Sequence, residues 1–130
     1  MALRAWGPAL LWALLILVLC LLPGRTLPQW EWADLFSLDK PVHAVLFGVL
    51  TVLVGRAFKL MARTGPVLLW SVLLSVGYGL ATEAMQQLQA LGRHGDVNDA
   101  IANTLGAVGG ALHLRRQWNR QRSAGSTKVA

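Results

Sequence analysis

Leu10-Leu-Trp-Ala-Leu-Leu-Ile-Leu-Val-Leu-Cys-Leu-Leu22 carries no charge and one polarisable thiol. The uncharged run reaches back to residue 5, and 5–22 approaches the roughly 20 helical residues that cross a hydrocarbon core. Arg4 before it raises the competing reading of a secretory leader. No small-x-small cleavage site follows, only Pro23, Gly24 and Arg25, and Leu19 is too bulky for the position before a lipidated cysteine. A retained transmembrane helix is the expectation. Cys20 lies in the apolar run and reads as a small hydrophobe without a disulfide partner.

Three further segments of similar length follow, at about 41–58, 66–88 and 97–114. Asp39 can cap the second, and Pro41 and Pro66 suit first helical turns. Because a backbone in lipid must satisfy its own hydrogen bonds, each reads as a helix. The bulk composition agrees: 55% of residues are hydrophobic and 14% charged, against about 25% charged in soluble domains. The expected architecture is one domain over 1–130: an all-α integral membrane protein, a four-transmembrane-helix bundle with both termini cytoplasmic and a basic tail at 115–130.

Charge sets that orientation. Arg4, Arg56, Lys59, Arg63, Arg115, Arg116, Arg120, Arg122 and Lys128 fall on the side of the termini, and only Arg25, Lys40 and Arg93 on the other. The positive-inside rule makes the crowded side cytoplasmic. The net charge of +6 is then mostly topology, and nucleic acid is not an expected partner. The basic tail with Trp118 suits anionic lipid headgroups.

All six acids, Glu31, Asp34, Asp39, Glu83, Asp96 and Asp99, fall toward the opposite side. The topology rule does not demand this. His43, Glu83 and Asp99 each lie about six residues outward of their span centres, roughly 9 Å from the midplane at about 1.5 Å per residue. The hydrocarbon boundary is about 15 Å out, so three helices bring polar groups to one depth beneath the outer surface. Asp99, Asn103, Gly106 and Gly110 share one helix face; Gly79, Glu83 and Gln86 or Gln87 share another; Asp39 and His43 are one turn apart. Ionisable groups in a membrane face the bundle interior or a wet cavity, so an outward-opening pocket is expected, with Arg93 able to close over it.

Plainer roles stand beside these. Asp96 and Asp99 can form a capping box for the fourth helix. Gly106 and Gly110 form a GxxxG packing motif. Asn103 can bond between helices, and Lys40 and Arg93 can be solvated rim charges. His94 and His113 sit at interfaces, where no chemistry is expected of them.

Asp39-Lys-Pro-Val-His43 with Phe47, Glu83-Ala-Met-Gln86, and Arg93-His-Gly-Asp96-Val-Asn-Asp99-Ala-Ile-Ala-Asn103-Thr-Leu-Gly106 together resemble, in order and spacing, the VanZ-like family of bacterial membrane proteins. The likeness covers about 39–110. Ala44 departs from it, standing where family members often carry an aromatic residue. The resemblance implies a multi-pass protein of the bacterial cytoplasmic membrane with a role in the cell envelope. The family's founding member is associated with resistance to the glycopeptide teicoplanin.

The leading functional expectation is a non-enzymatic protein binding lipid-linked cell-wall precursor head groups. Arg93 and Lys40 would meet phosphate, and Glu83, His43, Asp99 and Asn103 would shape the pocket. The rival is a membrane enzyme with His43 and Glu83 as base and acid, although no nucleophile elbow surrounds Ser37 or Thr82. No cofactor is expected; a metal site at His43, Glu83 and Asp99 is conceivable, but neither a His-x-x-x-His nor a cysteine pair supports it, and no metal is expected. A third reading is a transporter, opposed by an expected apolar floor of Leu105, Val108 and Leu112 below Asn103. A fourth is an assembly partner, or homo-oligomer, docking a foreign helix on Ala102, Gly106 and Gly110.

Overall fold

The structure is a computed structural model that describes residues 1–21, 39–88 and 97–127; the side chains of Asp39 and Thr127 are outside the description. Every described element is a helix: α1 (Ala2–Leu21), α2 (Asp39–Leu60), α3 (Val67–Leu88) and α4 (Val97–Thr127). The first three are long and apolar enough to cross a membrane. Leu10, Leu11, Leu69, Trp70, Leu73 and Leu80 are exposed on them, an arrangement that suits lipid as solvent. The chain is a helical membrane protein.

Helix α2 is the hub, packing on α4 most extensively and also on α3 and α1. Its partner faces differ in kind. Toward α1, Phe47, Leu50 and Val54 meet Ala9, Ile16 and Cys20 in an apolar cluster, with Trp6 and Trp12 packed against it. The Trp12 indole donates to the Leu46 carbonyl at 2.9 Å and the Tyr78 hydroxyl to the Ala13 carbonyl at 2.6 Å. Both donors find acceptors on neighbouring helices, as groups out of reach of water must.

Toward α4, α2 offers backbone. A Cβ on Gly106 would overlap the Ala44 carbonyl, and one on Gly110 would overlap the Gly48 carbonyl. A Cβ on Gly48 would in turn lie 3.1 Å from the Gly106 oxygen. The GxxxG motif is therefore engaged within the chain, against Ala44 and Gly48, so the face proposed for docking a foreign helix is occupied by α2.

The ends segregate by charge. Trp6 stacks edge-on against Phe58 at 5.1 Å, and its indole nitrogen lies 3.1 Å from the Met61 sulfur. Lys59 donates to the Gln121 side-chain oxygen at 3.1 Å and sits 5.0 Å over the Trp118 ring. The start of α1, the end of α2 and the far half of α4 thus share one end, carrying Arg4, Arg56, Lys59 and the tail arginines. The other end holds His43, Glu83 and Asp99.

Helix α4 departs from expectation. It was expected to stop near residue 114, yet it runs on through Arg115–Arg122 to Thr127. Arg and Gln are good helix formers, and the Lys59 contacts fasten the extension. Asn98, Asp99, Asn103 and three glycines at 106, 109 and 110 also make its first half less apolar than the other helices; it is not among the three spans recognisable by composition.

Helix α2 ends in a Schellman arrangement. The Arg63 N–H donates to the Phe58 carbonyl at 3.1 Å and the Ala62 N–H to the Lys59 carbonyl at 3.0 Å. Ala62 takes φ 50° to allow it, a region that costs a residue with a Cβ about 1 kcal/mol. Ala62→Gly is expected to raise stability by about 0.5–1 kcal/mol in a detergent unfolding titration; a loss would refute the left-handed turn.

The glycine contact gives a sharper contrast. Gly106→Ala and Gly110→Ala should each destabilise by about 1–3 kcal/mol through overpacking. Gly109→Ala, with open space around its Cβ position, should be neutral or gain up to about 1 kcal/mol. Equal effects at 109 and 110 would show that α2 and α4 do not meet there.

Candidate functional site

Helix α3 turns its polar side inward. Ser71, Ser75, Gly79, Thr82, Glu83 and Gln86 are its buried residues, spaced so that they line one face. A helix in lipid has no reason to bury leucine in preference to serine; small and polar residues go where backbones approach and partners exist. At one end of this face the cluster forms.

His43 on α2, Glu83 on α3 and Asp99 on α4 each present a ligand-capable atom, and the three atoms lie within 4.8 Å of one another. His43 and Glu83 are 8% and 7% exposed, and Asp99 is half-buried in the first turn of α4. Asn103, one turn along α4, is wholly buried, with its Oδ1 3.0 Å from His43 Nδ1. With that nitrogen protonated, the ring donates to the amide oxygen and its Nε2 carries the lone pair.

Phe47 and Asn103 form the floor. A Cβ on Gly79 would lie 3.1 Å from the Phe47 ring and 3.2 Å from Asn103 Nδ2, so the missing side chain at 79 is the space these two fill. Asn103 Nδ2 and Ser75 Oγ are buried with no hydrogen-bond partner among the described residues.

The other expected site residues fare differently. The Gln86 amide donates to the Cys20 carbonyl at 2.7 Å; it fastens the last turn of α1, supplying a donor to a carbonyl that the helix itself leaves open. Gln87 faces outward. Lys40 is half-buried in the first turn of α2. Asp39 opens that helix. Arg93 and Asp96 lie outside the described residues.

The expected apolar floor needs correction. Leu105, Val108 and Leu112 are 66%, 43% and 49% exposed and face away from the bundle; Ala107, Gly110 and Leu114 are the inward residues of that stretch. Buried hydroxyls also continue toward the basic end. Thr51 donates to the Phe47 carbonyl at 2.9 Å and Ser71 to the Val67 carbonyl at 2.7 Å, the local bonding by which hydroxyls are satisfied inside helices. Thr82 does the same to Gly79 at 2.8 Å. The sequence signal for this line was the spacing of Ser71, Ser75, Gly79 and Glu83 at four-residue steps, of which only the last two entered the expected site.

At the basic end, a groove of about 1000 Å³ is bordered by Lys59, Arg63, Trp118 and Arg122. It is open and cationic, whereas the opposite cluster is tight and acidic.

The chain matches the VanZ/LLP1 family over residues 9–117. No curated protein and no solved structure matches it. The matched stretch takes in all of α2 and α3, most of α1 and the portion of α4 that bears the cluster. The ordered motifs on α2, α3 and α4, the convergence of their side chains and the match over most of the length lead to one conclusion: this chain belongs to the VanZ/LLP1 family.

Proposed function

We propose that the chain is a four-span protein of the bacterial cytoplasmic membrane, with both termini and the basic groove on the cytoplasmic side. In this reading the acidic end opens toward the outer leaflet. There it binds the phosphate-bearing head group of lipid-linked cell-wall precursors, and so bears on susceptibility to glycopeptides such as teicoplanin. The observation that carries the reading is the meeting of His43, Glu83 and Asp99 from three helices at the end opposite the tail arginines. Buried ionisable groups in a membrane protein mark ligand or ion sites. Lys40 and Arg93 supply the phosphate-binding charge, and Asn103 and His43 supply hydrogen bonds.

The second reading is acid–base catalysis on a lipid or envelope substrate, favoured by the closeness of the His43 ring to the Glu83 carboxylate. Positioned pairs of this kind move protons in transfer reactions. Turnover that survives in Glu83→Gln would remove that residue from any such mechanism.

Orientation is testable by labelling. A cysteine at Gly125 should react with an impermeant maleimide only after cells are opened, and one at Arg93 should react in intact cells. The reverse pattern would invert the protein and put the cluster at the cytoplasmic face.

The binding proposal predicts that nanodisc-embedded protein retains a polyprenyl-pyrophosphate-linked precursor, and that Lys40→Ala and Arg93→Ala each weaken binding by at least roughly tenfold, the value of a charge-assisted hydrogen bond. Binding unchanged in both variants sinks the head-group reading. In a Gram-positive host, protection from teicoplanin by the wild type but not by Glu83→Gln at matched membrane level would tie the cluster to precursor biology.

A further inference from the structure

Two carboxylates and an imidazole, drawn from three helices and held within 4.8 Å, form an unusual set for a membrane interior. Glu83 and Asp99 as carboxylates bring two negative charges to a site where Glu83 is 7% exposed. Ionisable groups inside a membrane are rare and mark ligand or ion sites. Two carboxylate oxygens and an imidazole nitrogen are a donor set that a divalent cation takes, the imidazole in its neutral form.

The geometry suits this. Donor atoms bonded to one ion at about 2.0–2.2 Å sit about 3.0–3.6 Å apart in neighbouring positions. The three donors already lie within 4.8 Å of one another, so an ion would have to draw them only slightly closer. His43 already has the outer partner that metal-binding histidines use, since Asn103 Oδ1 lies 3.0 Å from Nδ1 and fixes the ring with Nε2 as the donor. A second observation points to a missing component. Asn103 is 2% exposed, and its Nδ2, on the same amide that orients the ring, has no hydrogen-bond partner among the described residues. A buried N–H left without an acceptor is costly. A water brought in with an ion would be such an acceptor.

We propose that His43, Glu83 and Asp99 bind a divalent cation, Zn²⁺ or Mn²⁺, with Asn103 orienting the histidine. The mixed nitrogen and oxygen donors favour these ions over Ca²⁺, which takes oxygen alone, and over Cu⁺, which prefers sulfur. Three protein ligands leave positions open, the pattern of sites that exchange a ligand rather than of closed structural sites. On the head-group reading above, those positions take phosphate oxygens; that clause rests on the reading, and cation binding itself does not.

The test uses the full chain in nanodiscs without a polyhistidine tag. The protein is stripped with EDTA, equilibrated with Zn²⁺ or Mn²⁺ alone, and its metal counted by mass spectrometry, with Mn²⁺ also followed by electron paramagnetic resonance. One equivalent per chain is expected, with at least tenfold weaker binding in His43→Ala, Glu83→Gln and Asp99→Asn. Asn103→Leu should weaken it less, leaving the stoichiometry unchanged. A folded wild-type protein that takes up neither ion saturably overturns the proposal whatever the variants do, as does binding that survives in Glu83→Gln and Asp99→Asn alike. Uptake of metal without precursor binding supports the cation site and retires the head-group reading. EDTA-resistant precursor binding to a protein that takes up no metal does the reverse.

Discussion

Two helices touch here without side chains between them, and the rest of the arrangement depends on that contact. Gly106 and Gly110 lie against the backbone of Ala44 and Gly48. Because α2 and α4 approach so closely, short polar groups near the contact can reach across. His43 stands next to Ala44, and Asn103 three residues before Gly106; their side chains meet at 3.0 Å. Larger residues at the crossing would widen the gap beyond what an amide can span. Packing geometry and site geometry are in this sense one constraint.

Lipid changes which residues are useful for the rest of the bundle. Apolar side chains gain little by leaving a hydrocarbon solvent, so association rests on close packing and on hydrogen bonds between helices. Helix α3 shows the outcome: its buried face is Ser71, Ser75, Gly79, Thr82, Glu83 and Gln86, while Leu69, Leu73, Leu74, Leu80 and Leu88 face out. Helix α1 is held by an apolar patch and by three side-chain donors, from Trp12 to Leu46, Tyr78 to Ala13 and Gln86 to Cys20. Each such acceptor is a carbonyl on a different helix from its donor. These bonds tie α1 to α2 and α3 in a medium that provides no competing water.

Much of this was legible in the sequence. Uncharged length located the first three helices and the start of the fourth to within a few residues, and the placement of cations foretold which ends would lie together. The convergence of His43, Glu83 and Asp99 followed from depth and facing alone, since a helix fixes both by its rise and its period. The order of the motifs was enough to recognise the family. What escaped had a common cause. Periodicity assigns a residue to a face but does not say which neighbour covers it. Gln86 was read into the cluster because it follows Glu83 by three residues, yet its amide goes to the end of α1. Leu105, Val108 and Leu112 were read as a floor because apolar residues usually face inward, an expectation borrowed from water. The far half of α4 looked like a tail because its charges exclude it from the hydrocarbon; helicity does not require a span.

That last feature has a mechanical meaning. At about 1.5 Å per residue, a helix of 31 residues is roughly 46 Å long, longer than the hydrocarbon is thick. One unbroken ladder of backbone hydrogen bonds therefore joins Asp99 and Asn103 to Trp118 and Arg122. The acidic cluster and the basic groove border the same stiff rod. A tilt or axial slide that opens one end cannot be absorbed by a loop in between; it is delivered, at nearly full amplitude, to the other.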